Sequence, residues 1–312
     1  MRKLNIKYVE NIKKYLIISG ALLLIGIIAT CIFGVNLDIN YTGGSRISYY
    51  YTGDMDMALA EKTVEDVLKS EVDLSQSTDM TGTKTKIEIN VSGNNSISTE
   101  KQTALTEALT KAFPNSKCEL GDLKTFNPSI GANFFAKSMV AVVLAAFFVI
   151  LYIAIRFRNI GGISAGFMAF IALVHDIVIA FFVCVIFQLE IDVNFMAVVL
   201  TILGYSLNDT IVIYDRVREN RKLYPTETIR NIVNKSVNES LTRSVVTSLT
   251  TFAALVVVIV VAELNGLTTL RSFAIPMAVG VISGCYSTIC LSGPLWVLWL
   301  ERKAKKNVGK KK

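Results

Sequence analysis

The chain has 312 residues, 52% of them hydrophobic, a mean hydropathy of +0.48 and a formal net charge of +7. That is too apolar for an ordinary soluble domain, and the apolar residues fall in blocks of about 20, the length that crosses a bilayer. Residues 36–133 carry 9 Lys and Arg against 14 Asp and Glu, a net −5, and the remaining 23 and 11 give +12. A nucleic-acid binder gathers its basic residues on a soluble face; here they flank the apolar blocks, so the excess is a topology signal and no nucleic-acid partner is expected.

Residues 1–14 are short and basic, with Arg2, Lys3, Lys7, Lys13 and Lys14, and they precede an apolar run at 15–35. The run is longer than a typical signal-peptide core and no A-x-A cleavage pattern follows, so it reads as a retained first span with its N-terminus in the cytoplasm. From 36 to 133 the composition is that of a soluble domain. Strands are predicted at 47–51, 86–91 and 117–126, and helices at 57–69 and from Ser98-Thr99-Glu100 to Phe113. The order βαβαβ predicts a small ferredoxin-like α+β unit outside the cytoplasm. Gly43 and Gly44, just before the first strand, are expected to supply positive φ where the chain turns from membrane into domain, with substrate contact as the other reading.

A second span at 134–155 closes with Arg156 and Arg158, and a short turn at 159–162 leads into a third span ending near Gln188. Glu190 and Asp192 follow in a short outer loop, then a fourth span at 194–214. His175 and Asp176 lie mid-way along the third span, as a relay toward a carboxylate in span four or as a hydrogen-bonded interhelical pair. The connector at 215–243 is expected to be cytoplasmic, helical after Pro225 and capped by Thr226, with Ile229, Ile232, Val233 and Val237 toward the membrane surface. Span five occupies 244–262, and span six, at 273–300, should be bent by Pro276, Gly280, Gly284 and Pro294. A basic tail at 301–312 is expected to lie disordered against anionic lipid. Of the 32 basic residues, 21 flank one side of the membrane, 9 lie in the soluble domain, and Lys137 and Arg271 remain near the other face, which places both termini inside. The five cysteines show neither a disulfide framework nor a metal-ligand spacing.

The chemistry concentrates at 201–220, TILGYSLNDTIVIYDRVREN. Asp209 lies six residues before Asp215, roughly 9 Å deeper at ~1.5 Å per residue. A carboxylate at that depth is costly unless paired, hydrated or protonated, so Asp209 is either polar glue between helices or a proton or ion carrier. Tyr205, Ser206, Asp209 and Arg216 fall near one helical face, and Gly204 would let another helix approach closely. Arg243 opens span five on a face shared with Thr247, Thr250 and Thr251, at about the level of Asp209. It is either a positive-inside anchor or a switchable partner, since a carboxylate attracts a guanidinium and a protonated acid largely releases it.

The run GYSLNDTIVIYDRVREN at 204–220 closely resembles the end of the fourth span in the SecF family of bacterial protein-export subunits. Tyr41-Thr42-Gly43-Gly44, Arg156-Phe157-Arg158, His175-Asp176 and SLTRSVVTSLTT at 240–251 match further family elements in order. The resemblance implies six spans of RND type in the bacterial cell membrane. It also implies a complex with SecD beside the SecYEG channel, acting on translocating preprotein with a proton or sodium gradient and needing no cofactor. Asp209 would bind the ion and Arg243 would be its electrostatic partner, with His175, Asp176, Asn208 and an Asp215–Arg216 hinge-side pair as secondary candidates. Two other classes stand beside this one: half of a small-molecule RND exporter, which would want a larger outer domain with apolar pockets, and a structural assembly subunit. A hydrolase is disfavoured, because the outer domain has no histidine, Cys118 has no evident base and no phosphate-binding glycine loop occurs.

Overall fold

In the computed structural model, which describes residues 6–53, 55–70, 72–78, 85–92, 97–114, 116–126, 128–265 and 267–309, six helices are long and apolar enough to cross a membrane. The first, α1 (Ile12–Phe33), is mostly exposed along its apolar length, as a helix facing lipid must be. A short helix, α2 (Ile39–Thr42), then leads into the soluble domain. Gly43 and Gly44 take φ values of 76° and 142° at this entry, and a Cβ on Gly44 would stand 2.1 Å from the Val91 carbonyl oxygen. Only glycine fits that approach.

The domain runs β1 (Gly44–Tyr51), α3 (Met57–Leu68), β2 (Val72–Thr78), β3 (Thr85–Ser92), α4 (Thr99–Ala112) and β4 (Glu119–Phe126). Its sheet is wholly antiparallel, in the order β2-β3-β1-β4. Alternation puts Ile47, Tyr49 and Tyr51 on the face that meets Val64, Leu105 and Leu109 of the two helices. Asp56 caps α3 and Ser98 caps α4 through their side-chain oxygens. The expected three strands are therefore four. The additional one, β2, has the sequence VDLSQST, whose two apolar residues are too few to declare a strand, and it holds an edge of the sheet.

The bundle continues with α5 (Pro128–Arg156), α6 (Gly162–Ile186), α7 (Val193–Leu223), α8 (Ile229–Leu264), α9 (Thr268–Ser287), a π turn (Thr288–Ser292) and α10 (Gly293–Gly309). Helices α6 and α9 are central, whereas α5 and α8 expose large apolar side chains such as Phe147, Phe148, Leu249 and Val257. Three expectations change here. The first part of the connector, 215–223, continues α7, and the rest from Ile229 forms one unbroken helix with span five, α8, capped by Thr228 rather than Thr226. The basic tail is helical as far as Gly309, and Glu301 within it accepts two hydrogen bonds from Arg230 of α8, at 3.0 and 2.7 Å. The irregular turn of span six is the π segment, just ahead of Pro294, one of the expected bend positions, and away from Pro276, which lies within regular α9. There Thr288 meets Thr210 at 3.2 Å and Ser292 meets Tyr214 at 2.8 Å, so the extra residue in the turn aims hydroxyls at α7.

The soluble domain rests on the loop between α6 and α7. Ile191 N–H donates to the Asn36 carbonyl at 2.8 Å, and Asp38 N–H donates to the Ile191 carbonyl at 3.2 Å. Arg46 of β1 joins Asp38 to Asn90, at 2.8 and 2.7 Å, and Asn90 reaches Glu190 at 3.4 Å. At the opposite end of the bundle, the amides of Ile6 and Val9 donate to Asn238 and Asn234 of α8, each at 3.0 Å.

Candidate functional site

Close helix crossing sets up the polar centre of the bundle. A Cβ on Gly280 of α9 would fall 2.2 Å from Ile202 Cδ1, and one on Gly284 would fall 3.2 Å from Ser206 Cβ, so α9 lies directly against α7. Gly204, the residue expected to admit a neighbour, meets nothing within 4 Å; the close approach is made by α9's glycines instead.

Asp176, fully buried on α6, sits at this crossing. Its Oδ2 accepts from Ser206 at 2.9 Å and Ser287 at 2.7 Å, and its Oδ1 accepts from Ser283 at 2.7 Å. His175 Nδ1 lies 3.3 Å from Oδ1, and its Nε2 is buried with no hydrogen-bond partner among the described residues. Hydroxyl donors on three sides make the carboxylate a tie between α6, α7 and α9. Ser283 and Ser287 escaped the sequence reading. Their i, i+4 spacing, three residues on from Gly280 and Gly284, is the signal that would have found them.

Asp209 is buried on the side of α7 that faces α8. Its electrostatic neighbours there are Arg243 and Ser244. Asp209 Oδ2 and Ser244 Oγ are both buried without a well-formed hydrogen bond, and Ser244 is a candidate donor to the carboxylate. No salt bridge joins Asp209 to Arg243; the guanidinium acts on the carboxylate through space, from an exposed position one residue before Ser244. Beside them Tyr205 Oη donates toward Ser248 and Thr251 at 3.4 and 3.3 Å, which continues the polar seam along α7 and α8.

Arg243 also lines a polar cavity of about 560 Å³ at the end of the bundle, together with Asp215, Arg216, Lys222 and Glu239. Asp215 and Arg216 are not a pair: Asp215 binds Arg156 at 3.2 Å and Arg218 at 2.9 Å, whereas Arg216 binds Glu219 at 2.6 Å and Glu239 at 2.7 Å. Asn208 is exposed on the outside of α7. His175 stands beside Asp176, and none of its hydrogen bonds leads to Asp209. Among the described residues no three His, Cys, Asp or Glu side chains converge as a metal site requires.

These features define a class: a multi-pass membrane protein of six spans, with a small α/β domain inserted after the first and two buried carboxylates on neighbouring helices of the bundle. The family model described as "Protein export membrane protein SecD/SecF, C-terminal" matches residues 105–302. The protein translocase subunit SecF of Alicyclobacillus acidocaldarius is 31% identical over 296 residues, 94% of this chain and 92% of that protein. SecF of Calditerrivibrio nitroreducens is 31% identical over 303 residues, 96% of each chain. The fused SecDF of Bacillus subtilis is 31% identical across 95% of this chain but only 38% of its own length. The crystal structure of SecDF, a translocon-associated membrane protein from Thermus thermophilus, superposes with a TM-score of 0.78 at 26% identity, over 96% of this chain and 39% of that one. The chain belongs to the SecD/SecF family of protein export membrane proteins, as a SecF-type subunit, and spans about two fifths of the fused members.

Proposed function

We propose that this chain forms a heterocomplex with a SecD-type subunit beside the SecYEG channel. There it uses a proton or sodium gradient to assist late steps of preprotein translocation. Asp209 is the ion-binding group and Arg243 its electrostatic partner. The observation that carries this reading is the unmatched Oδ2 of Asp209, buried against α8 with a cation nearby and a polar cavity at that cation. A carboxylate with one buried oxygen poorly satisfied in an apolar span suits exchange, whereas a merely structural one would be satisfied as Asp176 is. The fused relatives support a SecD half as partner, and that half would supply the rest of the path.

Uptake of an ion at Asp209 removes a buried charge and so changes the preferred packing of α7 on α8. The α/β domain, whose βαββαβ order and sheet order support a ferredoxin-like reading, lies outside the cytoplasm and moves with that change. Both chain termini lie inside, consistent with the 21 basic residues on that side. Subunits of this kind need neither ATPase nor hydrolase chemistry.

The test is gradient-dependent secretion of a reporter in cells carrying wild type, Asp209→Asn or Arg243→Ala, with assembly with SecD checked for each. Normal assembly with loss of the gradient-dependent part of export supports the assignment. Full export by Asp209→Asn, or loss only together with assembly, overturns it.

A further inference from the structure

Where α5 gives way to α6, an apolar groove of about 1080 Å³ opens on the outside of the bundle. Ile155, Ile163, Phe167 and Trp299 form its walls, and Ile163 and Phe167 are 79% and 53% exposed. Its base is fixed, because Trp296 Nε1 donates to Ser164 Oγ at 3.1 Å and Ser164 Oγ donates to the Gly161 carbonyl at 2.7 Å. The volume is just above the ~300–1,000 Å³ typical of small-molecule sites, so the groove is too large for an ion alone.

The charged side chains at this groove are of one sign. Arg156, Arg158 and Lys303 line it, and no Asp or Glu does. Arg156 is shared with Asp215, Lys303 stands 5.1 Å from the centre of the Trp299 ring, and Arg158 is exposed. Arg156 and Arg158 lie at and just after the end of α5, and Lys303 lies just past the apolar part of α10, where an aromatic ring and long basic side chains meet the headgroup layer. An occupant must therefore be apolar along most of its length and anionic at one end, while surrounded by membrane.

We propose that this groove is a binding site for one anionic glycerophospholipid, with an acyl chain along Ile163 and Phe167 and the phosphate between Arg158 and Lys303. A protein segment brings backbone N–H donors as well as acceptors, whereas the charged side chains lining the groove are all donors. Arg302, Lys305 and Lys306 on the same helix are exposed and do not line the groove, so they supply general surface attraction without a site.

The experiment uses the full chain in mild detergent, titrated with phosphatidylglycerol or with phosphatidylcholine of the same acyl chains and read by native mass spectrometry. One saturable phosphatidylglycerol is expected, held about tenfold more tightly than phosphatidylcholine. Arg158→Ala with Lys303→Ala should erase that preference, and Ile163→Asp should weaken both lipids. Arg302→Ala with Lys305→Ala should leave the preference intact. All these positions but Ile163 are basic surface residues, and an unchanged circular dichroism spectrum verifies folding of each variant. Equal affinity for the two lipids overturns the proposal, as does equal loss in both pairs of variants, which would mean diffuse surface charge. Displacement of the lipid by inorganic phosphate, or cross-linking from Ile163 in native membranes to a protein instead of lipid, overturns it too.

Discussion

Asp176 binds Ser206 of α7, and Asp209 stands three residues farther along that same helix with a buried oxygen that makes no well-formed hydrogen bond. Two acids of one type, in one apolar bundle, thus have opposite degrees of satisfaction. The first ties three helices together, and the second is the group proposed above to take up an ion.

That contrast predicts different effects on stability. Asp176→Ala leaves the hydroxyls of Ser206, Ser283 and Ser287 buried without their acceptor and should destabilise the bundle by about 2–5 kcal/mol. Asp209→Asn keeps an amide oxygen facing Ser244 and should change stability by less than about 1 kcal/mol. Thermal unfolding of the detergent-solubilised chain measures both, and equal losses would mean that Asp209 is glue after all.

The glycines of the α7–α9 crossing differ just as sharply. Gly280→Ala forces Ile202 aside and should cost about 1–3 kcal/mol. Ile202→Val in the same chain should recover part of that loss, because it removes the Cδ1 atom that the new methyl would strike. Gly204→Ala meets open space and should be neutral or stabilising by up to about 1 kcal/mol. A double-mutant cycle on Gly280 and Ile202 that shows simple additivity would refute the crossing geometry.

Arg230 and Glu301 are each about one-third exposed, so their bidentate pair should contribute no more than about 1 kcal/mol to overall stability. Its effect is local. Arg230→Ala should leave the melting temperature nearly unchanged while hydrogen exchange of the amides at 301–309 accelerates, because the last turns of α10 lose their tie to α8. Unchanged protection there would show that the tail is held by something else.

Asp192 supplies the clearest pH signature. Burial pushes its carboxyl above the usual range, against the Phe195 N–H and the Asn194 amide that favour the anion, and Asp38 adds repulsion. Tyr41 and Cys184 face the same carboxylate, and Arg46, Glu190 and Arg271 line the surrounding crevice. With the folded value raised, the stabilising contribution is fully present below the ordinary aspartate range and is lost as pH rises through the folded value. Asp192→Asn, which retains an acceptor for the cap, should flatten that decline and leave the chain more stable at neutral pH. Melting temperatures collected from acid to neutral pH would expose a slope that persists in the variant, contrary to this account.

The helices were legible from composition because twenty apolar residues in a row have few alternatives, and the strands of the soluble domain were legible where aromatic or β-branched residues alternate. Strand β2 was not, since an edge strand of polar residues carries almost no periodic signal. Asp209 could be singled out as a lone acid in an apolar run. The hydroxyl set around Asp176 could not, because serines and glycines in span six acquire meaning only when α9 is seen to cross α7. Likewise the pairing of Asp215 with Arg156 depends on which helix ends meet, and sequence neighbours misled in favour of Arg216.

Helix α8 has 36 residues, about 54 Å at ~1.5 Å each, against a hydrocarbon thickness of roughly 30 Å. Nearly half of it therefore stands clear of the membrane core, and that projecting part grips the start of the chain through Asn234 and Asn238. The segment so gripped continues into α1, whose far end carries the soluble domain. If the packing of α7 on α8 changes as proposed above, a small tilt of α8 where it passes Asp209 would be delivered as a longer stroke at its projecting end, with α1 as a pushrod back across the bilayer.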